Sequence, residues 1–327
     1  METLIATMAE PTTFPSLTKH AWFLTGPTAA GKSSVAVRLA AMMDAEILSL
    51  DSMAIYRRMD IGTAKPTVEQ RQSIPHHLLD LVEPDTSFSV AAYLQQAHQS
   101  AEAIKQRGKC PLFVGGTPLY LKACLRGFDS GPPADWEFRK SIERELESHG
   151  PEALRRRLQQ VDPLSAHTLH PNDTRRMIRA LEVAKLTGRP LSHQQIQFEA
   201  SHRSQHAHVY ALQWSRSDLH DRINQRVDEM FAKGLVEEVA ALRNEYKAIS
   251  RTATQAVGYK EVLAYLDNDY DLDEAIIRVK AHTRQLARRQ ETWLRSLPEV
   301  DFIQMSLART AESVADEIFE KSKAKII

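Results

Sequence analysis

The sequence predicts an α/β protein: a parallel-sheet core with crossover helices, an inserted helical subdomain and a helical C-terminal half. Three observations lead there. Short apolar runs alternate with helical patterns over the first 126 residues. A glycine-rich loop with phosphate-binding spacing follows the first of those runs. After Pro132-Pro133 the texture changes to one helix after another.

The elements follow in order. Ala21–Thr25 reads as a strand, the segment from Gly31 as a helix, Glu46–Leu50 as a second strand, Ser89–Gln106 as a helix and Pro111–Val114 as a third strand. Eight of the twelve glycines precede residue 132, where tight strand-to-helix turns need them. The second half reads as helices over Arg139–Ser148, Pro151–Gln160, Asn172–Leu186, Asp218–Lys233, Leu235–Tyr246, Thr254–Leu266 and Leu272–Leu297. Pro151 suits a first-turn position, and Gly150 and Gly188 suit helix ends. The expected division is a disordered extension over 1–19, a core over 20–126, an inserted helical subdomain over 127–208 and a return to the core with a helical region over 209–327.

Composition narrows the class. The chain has 327 residues, 43% of them hydrophobic, enough for a sizeable core. Its 42 basic and 42 acidic residues balance, so a nucleic-acid partner would be held by local patches rather than by global charge. Cys110 and Cys124 have no metal or redox spacing and read as structural thiols of a reducing cytosol. No run of 18 apolar residues exists, so no membrane span is expected. The first 19 residues lack arginine and a cleavable apolar core, unlike a targeting peptide.

The phosphate loop is Gly26-Pro27-Thr28-Ala29-Ala30-Gly31-Lys32-Ser33. Gly26 and Gly31 let the backbone aim successive N–H groups inward, and the helix that begins near Lys32 adds its positive end. Lys32 supplies a point charge to the terminal phosphate, and the Ser33 hydroxyl suits Mg²⁺. Trp22-Phe23-Leu24 before the loop and Val35, Leu39, Met42 and Met43 after it give the strand–loop–helix context. The fold class is thus a P-loop NTPase-like core. By itself such a loop points to ATP. Motor and switch proteins, however, place a metal-holding Asp after a later apolar strand. Here Pro111–Val114 runs into Gly115-Gly116-Thr117, with no acid.

The acid stands elsewhere: Asp51 closes the second strand. Ligands of parallel sheets bind beyond the carboxyl ends of the strands, so the Gly26 loop, Asp51 and Gly115–Thr117 should share one crevice. A carboxylate there can accept a proton from a nucleophile facing the phosphate. The plainer reading is a helix cap beside Ser52.

Several segments resemble the tRNA dimethylallyltransferases. They are Asp51-Ser52-Met53-Ala54-Ile55-Tyr56, Met59-Asp60-Ile61-Gly62-Thr63-Ala64-Lys65-Pro66, Pro75-His76-His77-Leu78-Leu79-Asp80 and Val114-Gly115-Gly116-Thr117-Pro118-Leu119-Tyr120. Others are Pro171-Asn172-Asp173 with Arg176, Arg179-Ala180-Leu181-Glu182-Val183, Gln255-Ala256-Val257-Gly258-Tyr259-Lys260 and Thr283-Arg284-Gln285-Leu286-Ala287-Arg288-Arg289-Gln290. Together they span about residues 20 to 300. The resemblance implies a prenyltransferase that moves a dimethylallyl group from dimethylallyl diphosphate to N6 of an adenine beside the anticodon of tRNA. The loop would hold the diphosphate with Mg²⁺, Asp51 would accept the N6 proton, and Thr28, Lys32 and Arg226 would complete the catalytic set. Ser52, Met53, Ala54, Thr117, Arg139, Arg175, Arg176, Arg179, Gly258, Tyr259, Lys260, Arg284, Gln285, Arg288 and Arg289 would meet the RNA.

Spacing adds to the resemblance. In the helix over Asp218–Lys233, Leu219, Ile223, Val227 and Phe231 form the buried face, and Arg222 and Arg226 are neighbours on another. The alternative is a solvated pair beside Asp221 and Asp228. In Leu272–Leu297 the apolar stripe reads Ile276, Val279, Thr283, Leu286, Trp293 and Leu297. Lys280, Arg284 and Arg288 follow at four-residue steps, like charges that an RNA phosphate would relieve and that water would also solvate. Arg175, Arg176 and Arg179 make a second cluster, capped by Asn172. The family usually has Gln at Arg175, so a long cationic donor replaces a shorter amide there and suits a phosphate. Arg155-Arg156-Arg157 spreads round a helix as a solvated face. His76 and His77 precede a strand-like segment and lack the partners of a metal site. Rival readings are an adenylate isopentenyltransferase acting on free nucleotides, a small-molecule kinase and a non-catalytic RNA-binding switch. The expected protein is a cytosolic monomer.

Overall fold

The computed structural model describes residues 12–193 and 207–323. Two compact units emerge: Leu17–Leu125 with Ser204–Ile327, and Met1–Ser16 with Arg126–Arg203. The strands are β1 (Thr13–Phe14), β2 (Trp22–Thr25), β3 (Ala45–Ser49), β4 (His76–His77), β5 (Cys110–Val114), β6 (Phe128–Asp129), β7 (His208–Gln213) and β8 (Asp301–Gln304). The helices are α1 (Lys32–Met43), α2 (Val68–Ser73), α3 (Val90–Gln106), α4 (Pro118–Arg126), α5 (Trp136–Val161), α6 (Pro163–Thr168), α7 (Thr174–Thr187), α8 (Arg216–Ala232), α9 (Leu235–Glu245), α10 (Tyr259–Leu266), α11 (Leu272–Arg295) and α12 (Ala311–Lys323).

The larger unit is built on a six-stranded sheet, ordered β4-β3-β5-β2-β7-β8, in which every neighbouring pair is parallel. A parallel sheet carries helices on its faces, so its strands are apolar along their whole length. Phe23, Leu24, Leu48, Leu112 and Phe113 are accordingly 0% exposed. Each such side chain contributes roughly 1.5–3 kcal/mol by leaving water. Because β3, β5 and β2 are adjacent, the chain segments that leave their carboxyl ends run side by side. Leu50 N–H donates to Val114 O at 2.8 Å, and Gly115 N–H to Leu24 O at 3.2 Å. Gly115 has no room for a side chain: a Cβ there would lie 2.2 Å from Leu50 O.

The helical half is less helical than its pattern. It contributes β7 and β8 to the sheet, with Tyr210 paired to Asp301. These strands escape a periodicity reading because both are short and half-apolar. His76 and His77 do not precede a strand; they are one, paired with Ile47 and Leu48. His77 Nε2 meets the buried Glu46 at 2.7 Å, which Arg107 also contacts at 2.6 Å. The helix expected over Thr254–Leu266 is split by Gly258 (φ 97°), whose N–H donates to Glu261 at 2.7 Å.

Residues 12–19, which the boundary between the units divides after Ser16, are not the disordered extension their composition implies. Thr13 and Phe14 pair antiparallel with Asp129 and Phe128. A strand edge supplied from elsewhere in the sequence orders a segment with no core of its own. Residues 1–11, and residues 194–206 of the expected inserted subdomain, lie outside the described residues. Helix α5 breaks at Gly150 (φ 75°, ψ 172°), just before Pro151. It packs on α6 and α7 around Phe138, Ile142, Leu154, Leu158, Met177 and Leu181. The N-cap of α7 is Asp173 rather than Asn172.

Candidate active site

The phosphate loop leaves β2 at Gly26 with φ 141°, where a Cβ would lie 2.9 Å from Leu212 O. Ala29 (φ 63°) and Gly31 (φ 89°) complete the turn into α1. Left-handed residues at this spacing rotate successive N–H groups to one side and carbonyls to the other. The carbonyls are taken up by the loop's own lysine and by side chains from distant elements. Lys32 Nζ donates to Gly26 O at 3.0 Å and to Pro27 O at 2.7 Å. Arg222 Nε, on α8, donates to Ala29 O at 2.9 Å, and Trp214 Nε1 to Ala30 O at 3.0 Å. The Arg222 guanidinium lies 4.4 Å over the Trp214 ring. Gln290, on α11, accepts from Thr28 N–H at 2.9 Å and donates to Gly116 O at 2.8 Å. One buried amide thus joins the phosphate loop to the loop after β5.

The loop walls a crevice of about 390 Å³ that is also lined by Asp51, Ser33, Lys65, Gly116, Arg222, Arg226 and Gln290. Burial, reinforced by the Arg226 charge and only partly offset by Asp51, holds the Lys32 ammonium down to a pKa of about 7. Burial likewise lowers Arg226, against the raising effect of Asp51. Lys32, Arg222 and Arg226 form no ion pair among the described residues. Asp51 and Glu229 on the crevice offset these three basic groups only in part, which leaves a place for an anion.

Asp51 caps no helix, since the next one after it begins at Val68; it closes a local turn and faces the crevice. Its Oδ1 accepts from Met53 N–H at 2.8 Å and Ala54 N–H at 3.4 Å, an Asx turn. The same side chain lines the crevice, and Oδ2 has no hydrogen-bond partner among the described residues. Thr117 Oγ1 accepts from Ser52 N–H at 3.0 Å, tying the loop after β5 to the residue beside Asp51.

Another wall is the segment Thr63–Pro66. Glu238 on α9 shapes it, accepting from the N–H groups of Asp60 at 3.0 Å and Ile61 at 2.9 Å and from the Tyr259 hydroxyl at 2.5 Å. Gly62 is required because a Cβ would lie 2.4 Å from the Tyr259 ring. Lys65, 2% exposed, bridges Asp60 at 2.7 Å and Asp80 at 2.6 Å.

The residues expected to meet RNA divide. Tyr259 is 2% exposed and holds Glu238, so it belongs to the wall's support; Gly258 and Ala54 are buried as well. Lys280 pairs with Asp228 at 2.6 Å and Arg284 reaches Asn224 at 2.6 Å, so both clamp α11 onto α8. Gln285, Arg288, Arg289 and Lys260 are exposed. In the smaller unit Arg139 grips the fully buried Glu182 with two bonds of 2.8 Å. Arg179 pairs with the same carboxylate and donates to Pro132 O at 2.9 Å. Arg176 lies 3.4 Å from Asp173, and Arg175 lies beside it on α7. Helix α11 buries Ala275, Val279, Thr283, Ala287, Gln290 and Leu294. Its buried face is therefore rotated from the expected stripe, and Trp293 and Leu286 are half-buried.

Gln290, Glu238 and Trp214 carry the crevice's geometry, and Glu182 organises the arginines of the smaller unit; none was singled out by the sequence. Gln290 and Glu182 stand inside resemblance segments, which is a signal. Glu238 has none, since an acid on a helix is ordinarily solvated.

Comparison with known proteins agrees with this geometry. Residues 54–297 match a family model described as IPP transferase, and residues 19–82 one described as isopentenyl transferase. The tRNA dimethylallyltransferase of Rhodopirellula baltica is 53% identical over 85% of this chain and 85% of its own. That of Geobacter sulfurreducens is 45% identical over 85% and 90%. The tRNA isopentenylpyrophosphate transferase of Bacillus halodurans superposes with a TM-score of 0.67 at 38% identity, covering 94% of this chain and 98% of that one. A eukaryotic dimethylallyltransferase acting on tRNA gives 0.74 at 27% identity, covering 91% and 76%. The chain belongs to the IPP transferase family, the tRNA dimethylallyltransferases.

Proposed function

We propose that this protein transfers a dimethylallyl group from dimethylallyl diphosphate to N6 of an adenine beside the anticodon of tRNA, releasing pyrophosphate. The observation that carries the reading is the shared crevice: Lys32, Arg222 and Arg226, in no ion pair among the described residues, gather at the phosphate loop with Asp51 on the same wall. The diphosphate occupies the loop. The adenine N6 lone pair attacks the allylic C1, the C1–O bond breaks toward the diphosphate, and the N6 proton passes to Oδ2 of Asp51. The loop N–H groups, Lys32 and Arg226 stabilise the charge that builds on the leaving oxygen. The target base must leave its stack to reach Asp51.

Mg²⁺ suits the same place. Ser33 is exposed and lines the crevice. The described residues hold no cluster of three or more His, Cys, Asp or Glu that would cage a metal by itself. A hard cation held by Ser33 would take its remaining ligands from diphosphate oxygens and water, and supplies positive charge to the departing group. The reading extends to a cytoplasmic monomer. No described helix is long and apolar enough to cross a membrane. Cys110 and Cys124 are unpaired, as suits a reducing compartment.

The test is label transfer. Labelled dimethylallyl diphosphate is incubated with the protein and either unmodified tRNA or AMP. Label in tRNA alone is expected; label in AMP alone, or in neither, overturns the reading.

A further inference from the structure

The first residue of α5 is Trp136, and its side chain is 59% exposed. Among the described residues it is the only exposed Phe, Tyr or Trp. Leaving so large an apolar ring in water forfeits the burial that aromatics ordinarily gain, so its environment matters.

That environment is rigid. The Arg139 guanidinium lies 5.0 Å from the Trp136 ring centroid, against one face. Arg139 is itself fixed by two bonds of 2.8 Å to Glu182, which is 0% exposed. Burial alone would raise the Glu182 pKa, but the bonds from Arg139 and Arg179 outweigh it and keep the carboxylate ionised. The backbone beside the ring is held as well. Asp135 N–H donates to Glu182 at 2.7 Å, and the Asp135 side chain caps α5 through Phe138 N–H at 2.9 Å and pairs with Lys185 at 3.0 Å. A buried carboxylate thus locks a cation, the cation backs an indole, and the exposed part of the indole faces solvent. Glu137 and Lys140, both exposed on the same helix, balance in charge and leave Arg139 as the cation at the ring.

A pre-ordered aromatic face backed by a guanidinium is what an unstacked nucleobase fits, because every base has a π-face and the stacking loses little side-chain freedom. We infer that Trp136 is a stacking platform for an unpaired base of the RNA substrate, with Arg139 and Glu182 as its positioning residues. The inference rests on the tRNA reading above. It also changes the part expected of Arg139, which backs the ring that meets the RNA.

The test uses the full chain and unmodified tRNA. Trp136→Ala should weaken tRNA affinity by about tenfold, and Trp136→Phe should restore most of it. The slope of log affinity against log salt should stay at the wild-type value in both variants, since a stacking contact releases no counterion. Trp136 is exposed, so unchanged thermal stability is expected and separates binding from folding. Wild-type affinity in Trp136→Ala, while the wild-type protein prenylates tRNA, overturns the platform alone. A slope lowered by about one overturns it in favour of phosphate contact. Loss of self-association in Trp136→Ala, with tRNA affinity intact, assigns the ring to a protein interface instead. If the wild-type protein neither binds nor prenylates tRNA, the functional reading fails, and the platform with it.

Discussion

Two pairs of arginines make opposite use of burial. Arg222 and Arg226 stand at the crevice in no ion pair among the described residues, and burial lowers the pKa of both, with Asp51 and Glu229 opposing it only in part at Arg226. Arg139 and Arg179 close on Glu182, which is 0% exposed. A cation taken from water without a paired counter-charge is held at a cost, and a ligand relieves it. A cation paired to a buried acid has been neutralised by the fold. The first arrangement marks a site and the second a scaffold, although all four residues look alike in sequence.

The largest expected effect tests the crevice itself. Asp51→Asn keeps the Asx turn and removes the proton acceptor, so turnover should fall by roughly 10²- to 10⁴-fold. Donor and tRNA dissociation constants should stay within a few-fold. Near-normal turnover would demote Asp51 to a turn residue.

Glu182→Leu tests the scaffold. Removing one partner of a buried ion pair costs about 3–5 kcal/mol, and the part-exposed arginines place this case near the lower figure. The measurement is denaturant unfolding of the full chain. Wild-type stability with weakened tRNA binding would show that the arginines were never scaffold.

Protonation sharpens the contrast. Lys32 titrates at about 7 in the folded protein, against 10.5 ordinarily. Its folded value lies below its unfolded one, so the unfolded chain binds more protons between those values. The stability of the free protein from this group therefore rises with pH across that window. A bound diphosphate favours the ammonium. Pyrophosphate binding near pH 8 should then take up close to one proton, measured by calorimetry in buffers of different ionisation enthalpy. Lys32→Arg should abolish the uptake. Equal uptake in the variant would assign the proton elsewhere.

The smallest effect belongs to the exposed surface of α11. Arg288→Ala should lower the salt slope of tRNA binding by about one while leaving the donor KM unchanged. An unchanged slope would make Arg288 a solvated residue like its neighbours on other helices.

Much of the core was legible. Gly26–Ser33 could be read because a phosphate loop is defined by its backbone, and backbone geometry demands glycines at set positions. Asp51 and Gly115–Thr117 could be placed beside it because strands of a parallel sheet present their carboxyl ends together. The arginine roles were harder to read. Lys280 and Arg284 looked like an RNA face, yet Asp228 and Asn224, more than fifty positions earlier in the chain, turn them into clamps. Tyr259 stood in a segment resembling a substrate-contacting one, but Glu238 and Gly62 draw it inside. The strand pairing of Thr13–Phe14 depended on Phe128–Asp129.

The sequence by itself determined the α/β core, the phosphate loop, the acid beside it and the family, since each rests on local spacing or contiguous motifs. Only the tertiary structure decided which charges are spent inside the protein and which remain for a ligand. A charge's meaning depends on what lies within a few ångströms of it, and those neighbours come from distant parts of the chain.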